Sequence, residues 1–175
     1  AYRFIGKRKG VGRVLDESSG YRFDKDYEVY TLLTKGLQCW YEEDYTIANL
    51  NDLPKDQISL TPLMVTTDNA RLLFSESDLH NYSGSYLLTT EGGFDLILSA
   101  YPAKQELREG GSKRLVTERE NYLVECNLDR TFPWRVTGVF PLGNDSVILN
   151  SELIYLLGER TTEDFSWVKP GKLLW

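Results

Sequence analysis

Apolar and polar residues alternate with a period of two along most of the chain. The alternation is clearest over residues 94–100 and 122–128, where every second side chain is apolar. Because successive side chains of a strand point to opposite faces, this period predicts half-buried strands. The same reasoning predicts strands at residues 27–33, 37–41, 58–66, 70–74, 85–90 and 134–140.

Helical periodicity is short wherever it occurs. One-turn helical segments are predicted at residues 51–55, 75–81 and 151–157, and none extends over three turns. Glycine, proline and Asn/Asp pairs separate the predicted strands, as turns require. Many short antiparallel strands at this spacing predict an all-β fold, and more narrowly a β-sandwich.

Residues 102–121 differ from the rest because charges of both signs alternate around Gly110-Gly111. Mixed-sign charge is typical of solvated surface. We therefore expect a long exposed hairpin that turns at the two glycines.

Composition excludes several functions. The net charge of −6 argues against a nucleic-acid surface, since phosphate binding needs an excess of Lys and Arg. No apolar run approaches the roughly 20 residues of a membrane-spanning helix, so no membrane span is expected. Cys39 and Cys126 lack metal-ligand spacing, and buried free thiols are favoured over a disulfide.

The residues offer few catalytic groups. His80 is the only histidine, which excludes a His-rich metal site. Ser75 and Asp78 match a capping box and predict a short helical turn, with Glu76 beside its N-terminus. The alternative is that Glu76 is a carboxylate presented to a ligand or metal. A second acidic cluster, Glu42 to Asp44, is interpreted as an exposed strand end.

Four stretches of the chain form a recognisable series: residues 1–4 (AYRF), 74–84 (FSESDLHNYSG), 131–136 (TFPWRV) and 164–175 (DFSWVKPGKLLW). In this order they resemble the N-terminal region of glycoside hydrolase family 97, which contains α-glucosidases and α-galactosidases. Ser75, Ser77, Ser83 and Phe132 depart from the usual residues of these motifs. None of the departures removes the carboxylate of Glu76.

The resemblance implies a β-super-sandwich similar to the galactose-mutarotase fold, truncated at both ends. Residues 1–163 would form the N-terminal sandwich domain without its opening strands. Residues 164–175 would be the junction into a (β/α)₈ catalytic barrel of the same polypeptide, which begins as the chain ends.

The resemblance also implies a division of labour. The catalytic carboxylates of the family lie on the barrel, so the parent polypeptide would be the enzyme and this part alone would be inactive. The parent would hydrolyse terminal sugars of an α-linked oligosaccharide, in the periplasm or at the cell surface. Family enzymes hold Ca²⁺ beside the scissile bond, and the position corresponding to Glu76 supplies one ligand. The resemblance thus favours the ligand interpretation of Glu76, with Ca²⁺ bound only when the barrel is present.

Two further residues are candidates for substrate binding. Arg135 would contact substrate or brace the domain interface, and bracing is the favoured interpretation because a paired Arg on a strand usually has a structural role. Trp40 is the other candidate. The competing functions are a stand-alone carbohydrate-binding sandwich, with Trp40, Tyr41 and Trp167 as aromatic platforms, and a purely structural domain that packs on a barrel.

Overall fold

The computed structural model of the protein describes residues 1–39, 42–111, 114–149, 152–158, 162–169 and 171–172. These residues form mainly strands, together with two 3₁₀ helices (Leu50–Asp52 and Asp145–Leu149) and one α-helix. The elements are β1 (Val11–Val14), β2 (Gly20–Arg22), β3 (Glu28–Thr34), β4 (Thr46–Asn49), β5 (Ile58–Thr66), β6 (Arg71–Ser77), β7 (Ser85–Thr90), β8 (Gly93–Leu98), β9 (Pro102–Leu107), β10 (Arg114–Arg119), β11 (Val124–Asn127), β12 (Trp134–Phe140) and α1 (Glu152–Leu157).

An eight-stranded antiparallel sheet dominates the structure. Its main path runs β12-β6-β5-β7-β8-β2, and β3 pairs with both β4 and β5. The long strand β5 is the branch point: one edge pairs with β3, while the other pairs first with β7 and then with β6. Two smaller pairs, β1 with β11 and β9 with β10, complete the described sheets.

The main sheet buries apolar side chains on both faces. Leu63, Val65 and Phe74 belong to one core cluster, which also contains the fully buried Phe94. The alternate residues Met64 and Leu73 point the other way and pack with Val147 and Ile148 of the second 3₁₀ helix. This opposite packing of neighbouring residues follows from the period of two in a strand.

The predicted all-β sandwich is confirmed. Strands occur at seven of the eight predicted segments. The charged segment forms the expected hairpin, in which β9 and β10 pair around a turn that includes Gly110, with φ of 70°. Short helices lie at two of the three predicted places, Leu50–Asp52 and Glu152–Leu157. No helix among the described residues is long and apolar enough to cross a membrane.

The strand predicted at residues 37–41 is wrong for the part that the structure describes. Residues 37–39 form a bend, and the pairing of β3 with β5 ends at Thr34 opposite Ile58. Trp40 and Tyr41 lie outside the described residues. Both cysteines are free thiols; Cys126 is buried, whereas Cys39 is only partly so.

The helical turn predicted at residues 75–81 is also wrong. Strand β6 continues through Ser75 and Glu76 to Ser77, because β12 offers a partner along this whole length. Asp78, with φ of 59°, then ends the strand. Sheet pairing has overridden the local capping preference, as tertiary context commonly does.

Candidate functional site

The register of β6 and β12 places Glu76 directly opposite Arg135. The two side chains therefore emerge on the same face of the sheet. The Nη1 atom of Arg135 donates to Oε2 of Glu76 at 2.8 Å. Only 2% of the Arg135 side chain and 16% of the Glu76 side chain are exposed, so this ion pair is largely shielded from water.

A second carboxylate completes the cluster from a distant part of the chain. Glu17 lies between β1 and β2, and its side chain is 5% exposed. It accepts two hydrogen bonds from Arg135, from Nε and Nη2, both at 2.8 Å. This fork-shaped pairing is the strong form of the Arg–carboxylate contact. With all three groups ionised, one positive charge faces two negative charges.

Ser85, at the start of β7, fixes the same oxygen of Glu76. Its backbone N–H and its hydroxyl donate to Oε2 at 3.0 and 2.8 Å. Oε2 thus accepts three hydrogen bonds, whereas Oε1 accepts none from the residues that the structure describes. A Cβ atom at Gly84 would lie 3.3 Å from Oε1, so glycine leaves that side of the carboxylate uncrowded.

Glu76 lines a cavity of about 400 Å³. The other lining residues come from β5, β7 and the segment before β7, and they are Leu60, Thr61, Leu79, Gly84, Ser85 and Tyr86. Glu76 is the only carboxylate among the lining residues that the structure describes. No group of three or more His, Cys, Asp or Glu side chains suited to a metal occurs within the described part of the chain. The described residues can therefore supply one carboxylate ligand here, not a complete metal site.

Burial and ion pairing act in opposite directions on the pKa values of Glu76 and Arg135. Burial raises the pKa of Glu76 above its ordinary value, although the hydrogen bonds from Ser85 and the charge of Arg135 act to lower it. Burial alone would lower the pKa of Arg135, but the hydrogen bonds and negative charge of Glu17, together with the charge of Glu76, act in the opposite direction and the pKa is raised. The guanidinium therefore stays charged and holds both carboxylates.

A second polar cavity of about 490 Å³ lies just beyond the end of β6. Its lining includes Asp78 and His80, whose Oδ1 and Nε2 atoms are 3.2 Å apart. The other oxygen of Asp78 contacts Nη1 of Arg3 at 3.3 Å. Asp78, predicted as a capping residue, instead joins the N-terminal segment to the end of β6.

The structure places the other predicted residues as follows. The guanidinium of Arg135 is directed at Glu17 and Glu76, both within the sandwich. Its contact with substrate and its bracing of a domain interface both stay predictions. Trp40 lies outside the described residues. The side chain of Trp167 is 74% exposed. Glu42 to Asp44 are exposed, as expected, but the described residues before them, 37–39, form a bend and not a strand.

The sequence patterns do not single out Glu17 or Ser85. Glu17 lies in an irregular segment and no local pattern distinguishes it from the other acidic residues of the chain. Ser85 begins a strand that was predicted, and its position just after Gly84 was the one available signal.

Comparison with known proteins agrees with this architecture. The sequence profile described as "Glycosyl-hydrolase 97 N-terminal" matches residues 1–159. A protein of Bacteroides thetaiotaomicron named "Retaining alpha-galactosidase" is 34% identical over 189 aligned positions, which cover 100% of this chain and 28% of that relative. The chain thus spans little more than a quarter of that relative's length. Both similarities extend over most or all of the described sandwich, and the chain therefore belongs to the glycosyl-hydrolase 97 N-terminal family.

Proposed function

We propose that this chain is the accessory β-sandwich of a calcium-dependent α-glycosidase and that Glu76 supplies one calcium ligand. One observation carries the calcium part of the proposal. Arg135 and Ser85 hold Oε2 of Glu76 with three hydrogen bonds, and Oε1 accepts none from the described residues. An acceptor oxygen kept in place beside a cavity is suited to a cation.

The residues fit calcium as one part of a shared site. Ca²⁺ prefers oxygen ligands and gathers six to eight of them from separate elements. The two carboxylates exceed the single guanidinium by one negative charge, which favours a nearby cation. The remaining ligands would come from a (β/α)₈ barrel of the same polypeptide, at the face where such barrels carry their active sites.

In this proposal the residues of the sandwich orient and do not react. Arg135 and Ser85 fix the carboxylate, and Gly84 keeps space in front of it. Bound calcium would supply positive charge that positions and polarises sugar oxygens. The two carboxylates that a retaining glycosidase needs, about 5–5.5 Å apart, are assigned to the barrel.

The name of the Bacteroides relative supports terminal α-linked galactose as the substrate, hydrolysed with retention of configuration. An α-glucoside is the alternative substrate. The proposal further assigns the parent polypeptide to the periplasm or cell surface, where it would meet α-linked oligosaccharides.

The test is 4-nitrophenol release from 4-nitrophenyl α-galactoside and α-glucoside by the full polypeptide that contains this chain. We expect cleavage that EGTA abolishes and added Ca²⁺ restores, with the α-galactoside preferred. Glu76→Gln should raise the calcium concentration required. Glu125→Gln, at a half-exposed carboxylate paired with Arg13, is the matched control and should behave as wild type.

Two results would contradict the proposal in different ways. Cleavage that is unchanged in EGTA would remove the calcium requirement. Wild-type calcium dependence in Glu76→Gln would leave the glycosidase intact and assign Glu76 a structural role.

A further inference from the structure

We infer that Ser85 and the Glu17–Arg135 pair are positioning residues, which restrict Glu76 to binding the cation through Oε1 alone. The inference rests on the calcium-ligand role proposed above and goes beyond it.

Hydrogen-bond donors already occupy Oε2 of Glu76. Three donors approach this oxygen at 2.8, 2.8 and 3.0 Å. A carboxylate has about four lone-pair sites on its two oxygens, so three donors saturate Oε2. A cation approaching both oxygens would have to displace at least one of these hydrogen bonds. One-oxygen binding through Oε1 displaces none of them.

The same donors also fix the orientation of the Glu76 carboxylate. Arg135 approaches Oε2 from β12, whereas Ser85 approaches it from the start of β7. Donors fixed on two different strands stop the carboxylate from rotating about its terminal torsion, which is otherwise broad. Oε1 is therefore held toward Gly84 and the cavity.

Glu17 acts on Glu76 indirectly, through Arg135. It occupies Nε and Nη2 of Arg135 and leaves Nη1 for Glu76. Loss of one Glu17 oxygen would allow the guanidinium to turn and would loosen its hold on Oε2. Such outer contacts commonly change metal affinity by about 10- to 100-fold.

The experiment measures calcium affinity directly. The full polypeptide is stripped with EGTA, and Ca²⁺ binding is followed by isothermal titration calorimetry. We expect Ser85→Ala and Glu17→Gln each to raise the calcium Kd about tenfold or more. Ser85→Thr keeps the hydroxyl and should restore an affinity near that of wild type.

Ser77→Ala is the matched control. Ser77 is 2% exposed and follows Glu76, but its hydroxyl points to the opposite face and donates to the Ile154 carbonyl at 2.6 Å. This variant loses a buried hydrogen bond without touching Glu76. Its calcium Kd should be unchanged, whatever happens to the melting temperature of the calcium-free protein.

The outcomes separate this inference from the role on which it rests. A wild-type Kd in Glu76→Gln means that the calcium-ligand role itself fails. A raised Kd in Glu76→Gln together with wild-type values in Ser85→Ala and Glu17→Gln overturns the positioning role alone. An equal rise in Ser77→Ala also overturns it, because the effect would then follow stability. Should Ser85→Ala fail to fold, Glu17→Gln decides the matter.

Discussion

Arg135 carries a charge in a place where water is almost excluded. Its side chain is 2% exposed, and Glu17 and Glu76 provide the compensating charge. Removal of a guanidinium from water costs several kcal/mol, which only well-formed ion pairs offset. The cluster is therefore sensitive to the loss of any one member, in contrast to the exposed ion pairs on other strands.

Replacement of Arg135 should test this contrast. Arg135→Met leaves two buried carboxylates without their partner, and we expect a loss of about 3–5 kcal/mol in the free energy of unfolding. Arg13→Met removes the 2.8 Å pair with Glu125, in which both side chains are about half-exposed, and should cost ~1 kcal/mol or less. Urea unfolding followed by tryptophan fluorescence measures both. Equal losses in the two variants would refute the dependence on burial.

Tyr82 is a second residue whose ionisation is coupled to this cluster. Burial, followed by the negative charge of Glu17, raises the pKa of its phenol well above the ordinary value. The folded protein therefore favours the neutral phenol. This contribution to stability is complete below about pH 10, the ordinary pKa of tyrosine, and is lost as the pH rises further.

Tyr82→Phe should make the protein less sensitive to alkali. Phenylalanine has no proton to lose, so the melting temperature of the variant should fall less steeply above about pH 10 than that of wild type. Melting curves between about pH 8 and pH 11 measure the slope. Tyr155→Phe, at a side chain that is 72% exposed, is the control and should retain the wild-type slope. A wild-type slope in Tyr82→Phe would contradict the assignment.

At the scale of elements, the contact of β2 with β8 depends on a missing side chain. Gly93 pairs with Arg22, and a Cβ atom there would lie 1.9 Å from the carbonyl oxygen of Tyr21. Backbone cannot move aside as the end of a flexible side chain can. The edge strand β2 can therefore join the sheet only if residue 93 is glycine.

Gly93→Ala should accordingly destabilise the protein by about 1–3 kcal/mol, the usual cost of overpacking. Gly36→Ala is the matched control, because nothing lies within 4 Å of the Cβ position there, and it should change stability by less than about 0.5 kcal/mol. Thermal denaturation followed by circular dichroism compares the two. A wild-type melting temperature in Gly93→Ala would contradict the requirement of the β2–β8 contact for glycine at position 93.

At the scale of the whole molecule, strand β6 links the candidate site to both cores. In β6, Phe74 belongs to one core cluster and Leu73 to the other. Glu76 continues the face of Phe74, whereas Ser77 continues the opposite face, where it reaches α1. The site is thus built on a strand that is packed from both sides, which gives Glu76 a rigid base. A rigid support suits a ligand whose remaining partners belong to another domain.

Much of this fold was accessible from the sequence, since a strand's period of two is a local property. It predicted the core faces of β8 and β11 and the exposed hairpin of β9 and β10. The helical turn at residues 75–81 was wrong because a capping pattern describes only the isolated segment. The pattern within residues 75–81 does not indicate that β12, far along the chain, pairs with this segment.

Residue periodicity was enough to predict the all-β class, and the four motifs that resemble glycoside hydrolase family 97 singled out Glu76 as a candidate ligand. The way in which that carboxylate is held depends on contacts between distant parts of the chain. Arg135 is separated from Glu76 by 59 positions and from Glu17 by 118. The pairing of β6 with β12 brings Glu76 beside Arg135, and the path of the chain between β1 and β2 brings Glu17 to Arg135. Side-chain periodicity acts over a few residues, whereas an ion pair depends on which distant strands become neighbours.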